Sequence, residues 1–495
     1  MKINYFATAH SVTFYWDKPD LADKNTVYEF FQDGEKIGQT AKTHFTLKGL
    51  TPDKELQIDV KSDVLSASVT VKTDKQKRLV DVSKAPYFAL GDGNTLNTAV
   101  LQKAIDDCTV EDVLYFPSGT YMTGALRLHS DMEIFFEDGA VLQGTDNPKD
   151  YLPKIWSRFE GTELYCYSSV LNIGNLDRSG GYNCSNIIIH GHGVIASGGE
   201  VLGKKVIALE REELKDYLLK LGDKIKECEN SDTIPGRVRP RLINMSNAQN
   251  VVLSGLTFKN GACWNLHMIY SDSIVTHDCT FISEGVHNGD GWDPDSSTNC
   301  TIFGCTFYTG DDSVAIKSGK NPEGNIINKP SRHIRVFDCV SKYGHGICMG
   351  SEMSGGIEDV KIWDCDLSNS MYGIEIKGTK KRGGYVRDIH VKDSVLPRIM
   401  FHSVGYNDDG ISAGIAPFFE NCTFDNVTLR GVYQDMKKNV VKCDAIELCG
   451  FDEPGHELRG IVFSNVTLGD LEHPTAQTIS LRLCENITFK NIKCL

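Results

Sequence analysis

Short β-rich segments recur along the chain from about residue 186, and this repeat constrains the fold more than any other feature. Three of them, NVVLSGLTFKNG, SIVTHDCTFIS and NCTIFGCTFYTG, begin at Asn250, Ser273 and Asn299, so their starts lie 23 and 26 residues apart. Each unit is a few apolar, β-branched residues followed by Gly, Asn or Asp, and no helical period separates successive units. Periods of this length are typical of solenoids in which every unit adds one turn. We therefore predict an all-β chain dominated by a right-handed parallel β-helix.

The repeat does not account for the whole chain. Residues 1–76 alternate apolar and polar side chains between turn signals, which predicts a small β-sandwich. Around Trp16 and the segment LKGLTPDKELQIDV this region resembles a fibronectin type III module, with Leu56 where that module usually has an aromatic residue. Residues 77–87 are the predicted linker, and residues 88–495 the β-helix domain. A charged, helix-periodic stretch near 206–232 is predicted to be an insertion over or beside the solenoid.

Composition narrows the classes of partner and the compartment. The net charge of -14 argues against nucleic acid or an anionic membrane surface as partners, and no apolar stretch approaches transmembrane length. The first residues contain no apolar run typical of a signal peptide, so we expect a cytoplasmic protein, although a secreted form whose signal has been removed stays open. The 16 cysteines form no CxxC pair or Cys/His metal spacing, which favours reduced, buried thiols and a site without metal or cofactor.

Acidic residues cluster in the stretch HNGDGWDPDSSTNCTIFGCTFYTGDDSVAIKSG. Asp290 stands between two glycines, and Asp311 and Asp312 follow another glycine about one repeat later. Residues one turn apart in a β-helix are about 5 Å apart in space. The next turns bring His345 and Lys377 to a similar phase. We expect these five side chains to project into one cleft.

Such a cluster suits acid–base chemistry on a sugar. Carboxylates held together repel, which raises at least one pKa and leaves a protonated acid beside ionised neighbours. Glycoside hydrolysis needs this combination, a proton donor for the leaving oxygen and a base for water. We also expect the flanking glycines to let a bulky sugar approach the backbone. The alternative is a structural ladder of Asp turns, which is common in solenoids.

The motifs resemble those of glycoside hydrolase family 28, the polygalacturonase family, over nearly everything after residue 85. NGDGWDP is similar to the family pattern with Gly289 in place of threonine, GDDSVAIKSG is similar with Ser313 in place of cysteine, and GHG at 344–346 matches outright. The segment RPRLINMSNAQNVVLSGLTFKNGACWNLH is similar to bacterial exo-acting members.

The resemblance implies an inverting hydrolase of pectin-derived oligosaccharides that cleaves α-linked galacturonic acid. Asp311 would then be the general acid, while Asp290 and Asp312 would hold and deprotonate water, and His345 would help set the protonation of the acid. Further residues are implied as supports or substrate contacts: Asn288, Asp293, Lys317 and Lys377. For Lys317 a structural ion pair is the alternative role.

One residue departs from the family pattern. The motif GIEIKG keeps Lys377 but has Glu375 where the family has an arginine that binds a substrate carboxylate. An anion there would repel galacturonate unless nearby cations compensate. The candidate cations are Lys380, Lys381, Arg382, Arg387, Arg239 and Arg241. Either the carboxylate clamp is rearranged, or the leaving-side sugar is neutral, as in rhamnogalacturonan.

Other functions and details stay open at this stage. Polysaccharide lyases share the β-helix, and adjacent aspartates could hold the Ca²⁺ that they generally need. A non-catalytic, glycan-binding β-helix is a third class. We expect exo action, because the insertion or the extra domain could close one end of the cleft. The sequence has no signature of an oligomeric state.

Overall fold

The computed structural model describes residues 2–469, 472 and 478–495. The chain divides into two compact units. One comprises the residues up to Leu79 together with Glu111–Val113, and the other comprises Val80–Val110 and Leu114–Leu495. The strand Arg78–Asp81 spans the division and lies within the segment predicted as a linker. No helix in the described part of the chain is long and apolar enough to cross a membrane.

The first unit is built from two antiparallel sheets. One contains Asn4–Ala7, Ser11–Tyr15 and His44–Lys48. The other contains Tyr28–Gln32, Glu35–Thr40, Glu55–Lys61 and Ser66–Lys72. Alternating residues of both sheets form a common core in which the rings of Trp16 and Tyr28 meet edge to face, 5.0 Å apart. This is the small β-sandwich expected from the alternating pattern.

The second unit is a parallel β-helix whose turns contribute strands to three sheets. The longest sheet contains Asp112–Phe116, Met132–Phe136, Cys184–Gly191, Ala248–Ser254, Asp272–His277, Thr301–Phe303, Ser331–Phe337, Ile357–Trp363, Tyr385–Lys392, Phe418–Asp425, Leu458–Ser464, Cys484–Glu485 and Thr488–Lys490. A second contains Asp92–Leu96, Gly119–Thr123, Ala140–Gly144, Val194–Ala196, Thr257–Lys259, Thr280–Ile282, Thr306–Tyr308 and Val340–Tyr343. Bridges from Val340 through Asp366 to Val395 continue this second sheet into four short strands, namely Val395–Leu396, Thr428–Leu429, Thr467–Leu468 and Lys493–Cys494.

The third sheet, called here the cleft sheet, carries the acidic motifs. Its strands are Leu126–Leu128, Leu171–Ile173, Ile243–Ser246, Leu266–Ile269, Trp292–Asp295, Val314–Ile316, Gly346–Met349, Gly373–Gly378, Ile399–Ser403, Ile446–Cys449 and Ile479–Arg482. Its strands pair in parallel with one another, for example Val314 with Ile347. The β-helix and the β-sandwich that precedes it in the chain confirm the predicted fold class.

The physical basis of the repeat is visible in its interior. Phe258, Phe281 and Phe307 pair on successive strands, and their rings lie 5.2 and 4.8 Å apart. The Gly, Asn and Asp residues recur because each turn places several residues in the left-handed region, where these residue types are tolerated best. Asp278 and Gly304 occupy the same point of neighbouring turns, with φ of 52° and 63°.

Helices and two hairpins interrupt the solenoid. The helices are Thr98–Asp107, Gly199–Glu213, Lys215–Leu221, Thr233–Gly236 and Glu323–Ile327, with 3₁₀ turns at Pro148–Tyr151 and Gly222–Glu227. The antiparallel hairpins pair Ile155–Phe159 with Thr162–Cys166, and Val432–Gln434 with Val440–Lys442. The helical insertion therefore extends from 199 to 236, and begins before the charged pattern that starts at Val206.

Candidate active site

The acidic motifs lie at the beginnings of neighbouring strands of the cleft sheet. The register pairs Trp292 with Val314, and Val314 with Ile347. Asp290, Asp312 and His345 each stand two residues before these paired positions, so the β-helix stacks them at one point of three successive turns. Lys377 lies on the next strand, and its Nζ is 3.8 Å from Oδ2 of Asp312. The structure thus brings the five residues of the predicted cluster together.

The glycines beside the aspartates serve the packing of one turn on the next. A Cβ on Gly310 would lie 2.2 Å from the backbone oxygen of Val286, and one on Gly291 would lie 2.5 Å from that of Ser313. Both distances are far below van der Waals contact, so only glycine fits at these two positions. The sequence analysis expected these glycines to admit the sugar. The structure shows instead that they let successive turns approach closely, and this approach holds the aspartates at one spacing.

Asp311 and His345 form an ion pair within the cleft. Nδ1 of His345 lies 2.9 Å from Oδ1 of Asp311 and 3.5 Å from Oδ1 of Asp312, in a geometry that favours charge attraction over a well-aligned hydrogen bond. Burial acts against the charged imidazole, but the neighbouring carboxylates outweigh it and raise the pKa of His345 well above its usual range. Burial likewise acts against ionisation of Asp311, but the charge of His345 lowers the pKa of that carboxyl below its usual range. The pair therefore holds one proton, which resides on the imidazole in the free cleft.

Asp290 has the opposite electrostatic character. Burial, reinforced by the negative charges of Asp293 and Asp311, raises the pKa of Asp290 well above its usual range. Asp293 is also completely buried, burial raises its pKa, and neither of its carboxylate oxygens accepts a hydrogen bond from the described residues. The pair of Asp290 and Asp293 therefore retains a proton to higher pH than an isolated carboxyl group would, beside an ionised Asp311.

Lys317 is the cation that holds this acidic pair. Its Nζ lies 3.4 Å from Oδ2 of Asp290, 3.9 Å from Oδ2 of Asp293 and 3.7 Å from Oε2 of Glu352, and it sits 4.7 Å from the centre of the Trp264 ring. Burial opposes the charge of this ammonium, but the carboxylates outweigh it and raise its pKa well above the usual range. The structure thus gives Lys317 an ion-pair position within the cleft wall.

Glu375 is already neutralised by its neighbours. Its Oε2 accepts a hydrogen bond from Nζ of Lys377 at 2.9 Å, and its Oε1 lies 2.8 Å from Nε2 of His402. Burial acts to raise the pKa of Glu375, but Lys377 and His402 outweigh it and lower the pKa to about 2. The sequence analysis missed His402, although its strand follows that of Glu375 and its register partner is Lys377.

The predicted arginines take other positions. Arg382 is fully buried and donates to the backbone oxygens of Ser351 and Asn407. Arg241 is also fully buried and bonds Asn244 at 2.6 Å. Neither side chain lines the cleft, so the structure does not place them where the sequence analysis expected substrate contacts.

Arg239 lies behind the residues that line the cleft and contacts one of them. Its Nη2 donates to Oδ1 of Asn288 at 2.7 Å, and its Nη1 donates to the backbone oxygen of His287 at 2.9 Å. Asn288 itself lines the cleft. Arg239 is therefore placed to position Asn288, with the substrate contact left to the asparagine.

Three segments outside the cleft sheet contribute residues to the cleft lining, and together they are called here the end wall. This end wall comprises the hairpin of residues 155–166, the helical insertion of residues 199–236 and the loop of residues 404–417. Arg237 links them, because its Nε donates to Glu160 at 2.8 Å and its Nη2 to Asp409 at 3.0 Å. Lys320 adds a contact of 2.5 Å to Asp409, and the backbone of Asp408 donates to the backbone oxygen of Glu227. The end wall contributes Glu160, Glu229, Tyr406 and Asn407 to the cleft lining.

The resulting cleft has a cavity volume of about 250 Å³, which suits one sugar ring more than a long chain segment. Its lining combines six carboxyl groups with three cationic side chains: Glu160, Glu229, Asp290, Asp311, Asp312 and Glu352, and Lys317, His345 and Lys377. Two groups of residues have donor atoms close enough to surround a metal ion, namely Asp311, Asp312 and His345, and Asp312, Cys348 and Glu375. In both groups Asp312 already faces the ammonium of Lys377, which supplies a positive charge there.

Comparison with known proteins agrees with this geometry. The family model described as "Glycosyl hydrolases family 28" matches residues 221–409. The chain is 30% identical over 405 residues to a "Probable polygalacturonase" of Vitis vinifera, covering 79% of this chain and 74% of the relative. It is 25% identical over 540 residues to an "Exo-poly-alpha-D-galacturonosidase" of Dickeya chrysanthemi, covering 98% of this chain and 89% of the relative.

Solved structures show the same architecture. A family 28 exopolygalacturonase of Yersinia enterocolitica matches with a TM-score of 0.80 at 23% identity, over 99% of this chain and 96% of that one, and so shares the fold. An exopolygalacturonase of Thermotoga maritima matches with a TM-score of 0.66 at 25% identity, over 79% of this chain and 87% of that one. By its motifs, its fold and its identity to these relatives, the chain belongs to glycosyl hydrolases family 28 and is a glycoside hydrolase.

Proposed function

We propose that this glycoside hydrolase is an exo-acting, inverting enzyme that releases galacturonic acid from α-linked, pectin-derived oligosaccharides. The observation that carries the proposal is the stacking of Asp290, Asp312 and His345 on successive turns, with Asp311 paired to His345, in a cleft of about 250 Å³ whose lining includes residues of the end wall. The full-length similarity to an Exo-poly-alpha-D-galacturonosidase supports the substrate and the exo mode.

The protons held in the site support a one-step hydrolysis in which water directly displaces the leaving sugar at the anomeric carbon. The proton held by Asp311 and His345 passes through Asp311 to the glycosidic oxygen as the bond to the anomeric carbon breaks. Asp290 and Asp312 hold a water molecule on the opposite face of the ring. Asp290, in its ionised form, takes a proton from this water as the water oxygen bonds to the anomeric carbon. The products are a free sugar of inverted anomeric configuration and a shortened chain.

The neutral-sugar alternative loses its main support in the structure. In that alternative Glu375 hydrogen-bonds the hydroxyls of a neutral leaving-side sugar. Glu375 instead gives one oxygen to Lys377 and the other to His402. The leaving-side carboxylate therefore meets a neutralised group, and galacturonate is acceptable on both sides of the scissile bond.

Proton NMR of the first products tests the function. Wild-type enzyme incubated with trigalacturonate, without added metal, is expected to release β-galacturonic acid and digalacturonate before any mutarotation. Asp311→Asn is expected to lower kcat by about 10³-fold, because it removes the proton donor, while trigalacturonate binding by calorimetry persists. Asp216→Asn, on the surface helix Lys215–Leu221, serves as the control. Release of the α anomer would contradict inversion, and an unsaturated product absorbing near 235 nm would indicate a lyase.

We further propose that the enzyme works in the reducing cytoplasm on oligosaccharides imported into the cell. Cys279, Cys305, Cys339 and Cys365 are free thiols that follow one another on successive turns, each with its sulfur near the carbonyl oxygen two residues earlier. Unpaired thiols so close together are at risk in an oxidising compartment. Cell fractionation with a periplasmic marker tests the location, and recovery of the enzyme outside the cytoplasm would contradict the proposal.

A further inference from the structure

Glu229 is a carboxyl group in the cleft that the proposed chemistry does not use. It lies on the helical insertion after the 3₁₀ turn Gly222–Glu227, and it lines the cavity together with Asp311. Two other acids of the lining are held by protein donors, since Glu160 accepts from Arg237 and Glu352 accepts from Asn407. The carboxyl group of Glu229 has no hydrogen bond or ion pair with the described residues. Its hydrogen-bonding capacity is therefore available to a ligand in the cleft.

The surroundings of Glu229 indicate which part of a sugar it meets. Its charged neighbours are mostly acids. Glu160, Asp311 and Glu352 raise its pKa, and the cation Arg239 lowers it. Glu229 keeps an exposed part, but the residues packed around it, followed by the charges of these acids, raise the pKa of Glu229 to about 7. A site this acidic repels the carboxylate of galacturonate and favours an uncharged hydroxyl, which a carboxyl group can bind either as acceptor or as donor.

The position of Glu229 on the end wall indicates which hydroxyl of the sugar it binds. In a (1→4)-linked chain the non-reducing terminal ring differs from every internal ring by a free hydroxyl at C4. A pocket that accepts only chain ends must therefore meet this group, and Glu229 is a carboxyl group of the end wall that lines this pocket and that no described residue binds. We propose that Glu229 binds the C4 hydroxyl of the non-reducing terminal galacturonate and so selects chain ends. This inference rests on the exo-polygalacturonase function proposed above.

A pair of matched substrates tests the inference. One is trigalacturonate, and the other is the same trisaccharide with hydrogen in place of the terminal C4 hydroxyl. We expect wild-type enzyme to favour trigalacturonate by about 30-fold or more in kcat/KM, because a site that binds a hydroxyl strongly rejects the analogue that lacks it. Glu229→Ala is expected to reduce this preference to about threefold or less, mainly by raising KM for trigalacturonate. Glu229→Gln keeps a hydrogen-bonding group and is expected to retain an intermediate preference.

A control on the same insertion separates recognition from folding. Glu212→Gln changes an exposed acid of the helix Gly199–Glu213 that lies outside the cleft lining, and it is expected to keep the wild-type preference. Thermal unfolding of all variants monitors the fold. The inference is overturned if wild-type enzyme cleaves both trisaccharides equally well, or if Glu229→Ala retains the wild-type preference. If wild-type enzyme cleaves neither trisaccharide, the function itself is wrong and the inference fails with it.

Discussion

At the scale of single residues, Asp290 and Asp293 determine the acidic side of the pH dependence. Asp290 must be ionised to accept a proton from water, yet burial and the charges of Asp293 and Asp311 raise its pKa well above its usual range. We therefore expect the acidic limb of kcat/KM, which reports the free enzyme, to lie above the ordinary aspartate value of about 3.9. The alkaline limb follows loss of the proton shared with His345, whose raised pKa extends activity beyond neutral pH.

The variant Asp293→Asn tests this assignment. Removing the charge of Asp293 weakens one cause of the raised pKa of Asp290, so the acidic limb is expected to move to lower pH by about one unit. The alkaline limb is expected to move less, because the charges nearest His345 are those of Asp311 and Asp312. The pH profile of kcat/KM on trigalacturonate measures both. An acidic limb that stays in place, or moves to higher pH, would show that Asp293 does not act through Asp290.

Glu375 has a different role from the arginine it replaces. The residue stabilises a buried ammonium, because Lys377 loses its nearest carboxylate when Glu375 becomes neutral. Glu375→Gln is expected to lower the free energy of unfolding by about 3 kcal/mol, as measured by urea denaturation. Glu375→Arg is expected to cost more, since it sets a guanidinium beside the ammonium of Lys377 and the imidazole of His402. The double variant Glu375→Gln, Lys377→Met should recover part of the loss, and full additivity of the two substitutions would contradict the coupling.

At the scale of elements, the end wall depends on Arg237. Arg237→Gln removes the ion pairs that join the hairpin, through Glu160, to the loop, through Asp409. The wall is then expected to open, so that KM for trigalacturonate rises and digalacturonate appears as a released unit from longer chains. Stability is expected to fall by about 3 kcal/mol, because two acids lose a partly buried partner.

The comparison variant for the end wall is Arg211→Gln. Arg211 pairs with Asp232 within the same insertion, but both side chains are about half exposed. Surface ion pairs contribute little, about 0 to 1 kcal/mol, so this variant is expected to keep the wild-type products and stability. Chromatography of the first products from a long oligogalacturonide distinguishes the two variants. If Arg237→Gln still releases only the monomer, the ionic links do not set the exo mode.

The elements also show what a sequence can predict. The cluster of Asp290, Asp311, Asp312 and His345 was predictable because each turn of a β-helix repeats the same register, so a spacing in the chain becomes a position in space. The place of Glu229 in the cleft was not predictable, because this residue belongs to an insertion whose path no repeat specifies. His402 had a usable signal, one turn after Lys377, but a lone histidine in a strand has no motif around it.

At the scale of the whole molecule, the fold could be predicted from the sequence repeat, but the end wall could not. The apolar positions of each unit, such as Phe258 and Phe281, stack on their counterparts, and this local rule extends along the entire solenoid. The charged side chains of the end wall pair across long stretches of chain, as Arg237 does with Asp409. Such pairings depend on loop conformations that hydrophobic periodicity leaves undetermined. The β-helix and the turns that carry the catalytic cluster could therefore be predicted from the sequence, but the residues of the end wall could not.

Three ion pairs of buried or partly buried carboxyl groups make the molecule sensitive to acid. Asp295 pairs with Arg158, Glu375 with Lys377, and Asp409 with Lys320; burial opposes their ionisation, but these partners lower each pKa to about 2. A carboxyl group whose pKa is lower in the folded state binds fewer protons there than in the unfolded chain. Its stabilisation is present above the unfolded value of about 4 and is lost as the pH falls toward 2.

Asp290 and Asp293 have the opposite linkage, because their raised pKa values favour the folded state at low pH and this contribution is lost as the pH rises through the folded values. The groups with a lowered pKa, to which Asp311 also belongs, are more numerous and outweigh these two between about pH 5 and pH 2. We therefore expect Tm to fall steeply on acidification from pH 5 to pH 3, as measured by calorimetry at constant ionic strength. Arg158→Met should flatten this dependence, since Asp295 then loses the cation that keeps it ionised. A Tm that is unchanged or higher at pH 3 would show that the buried ion pairs do not control the acid stability of the protein.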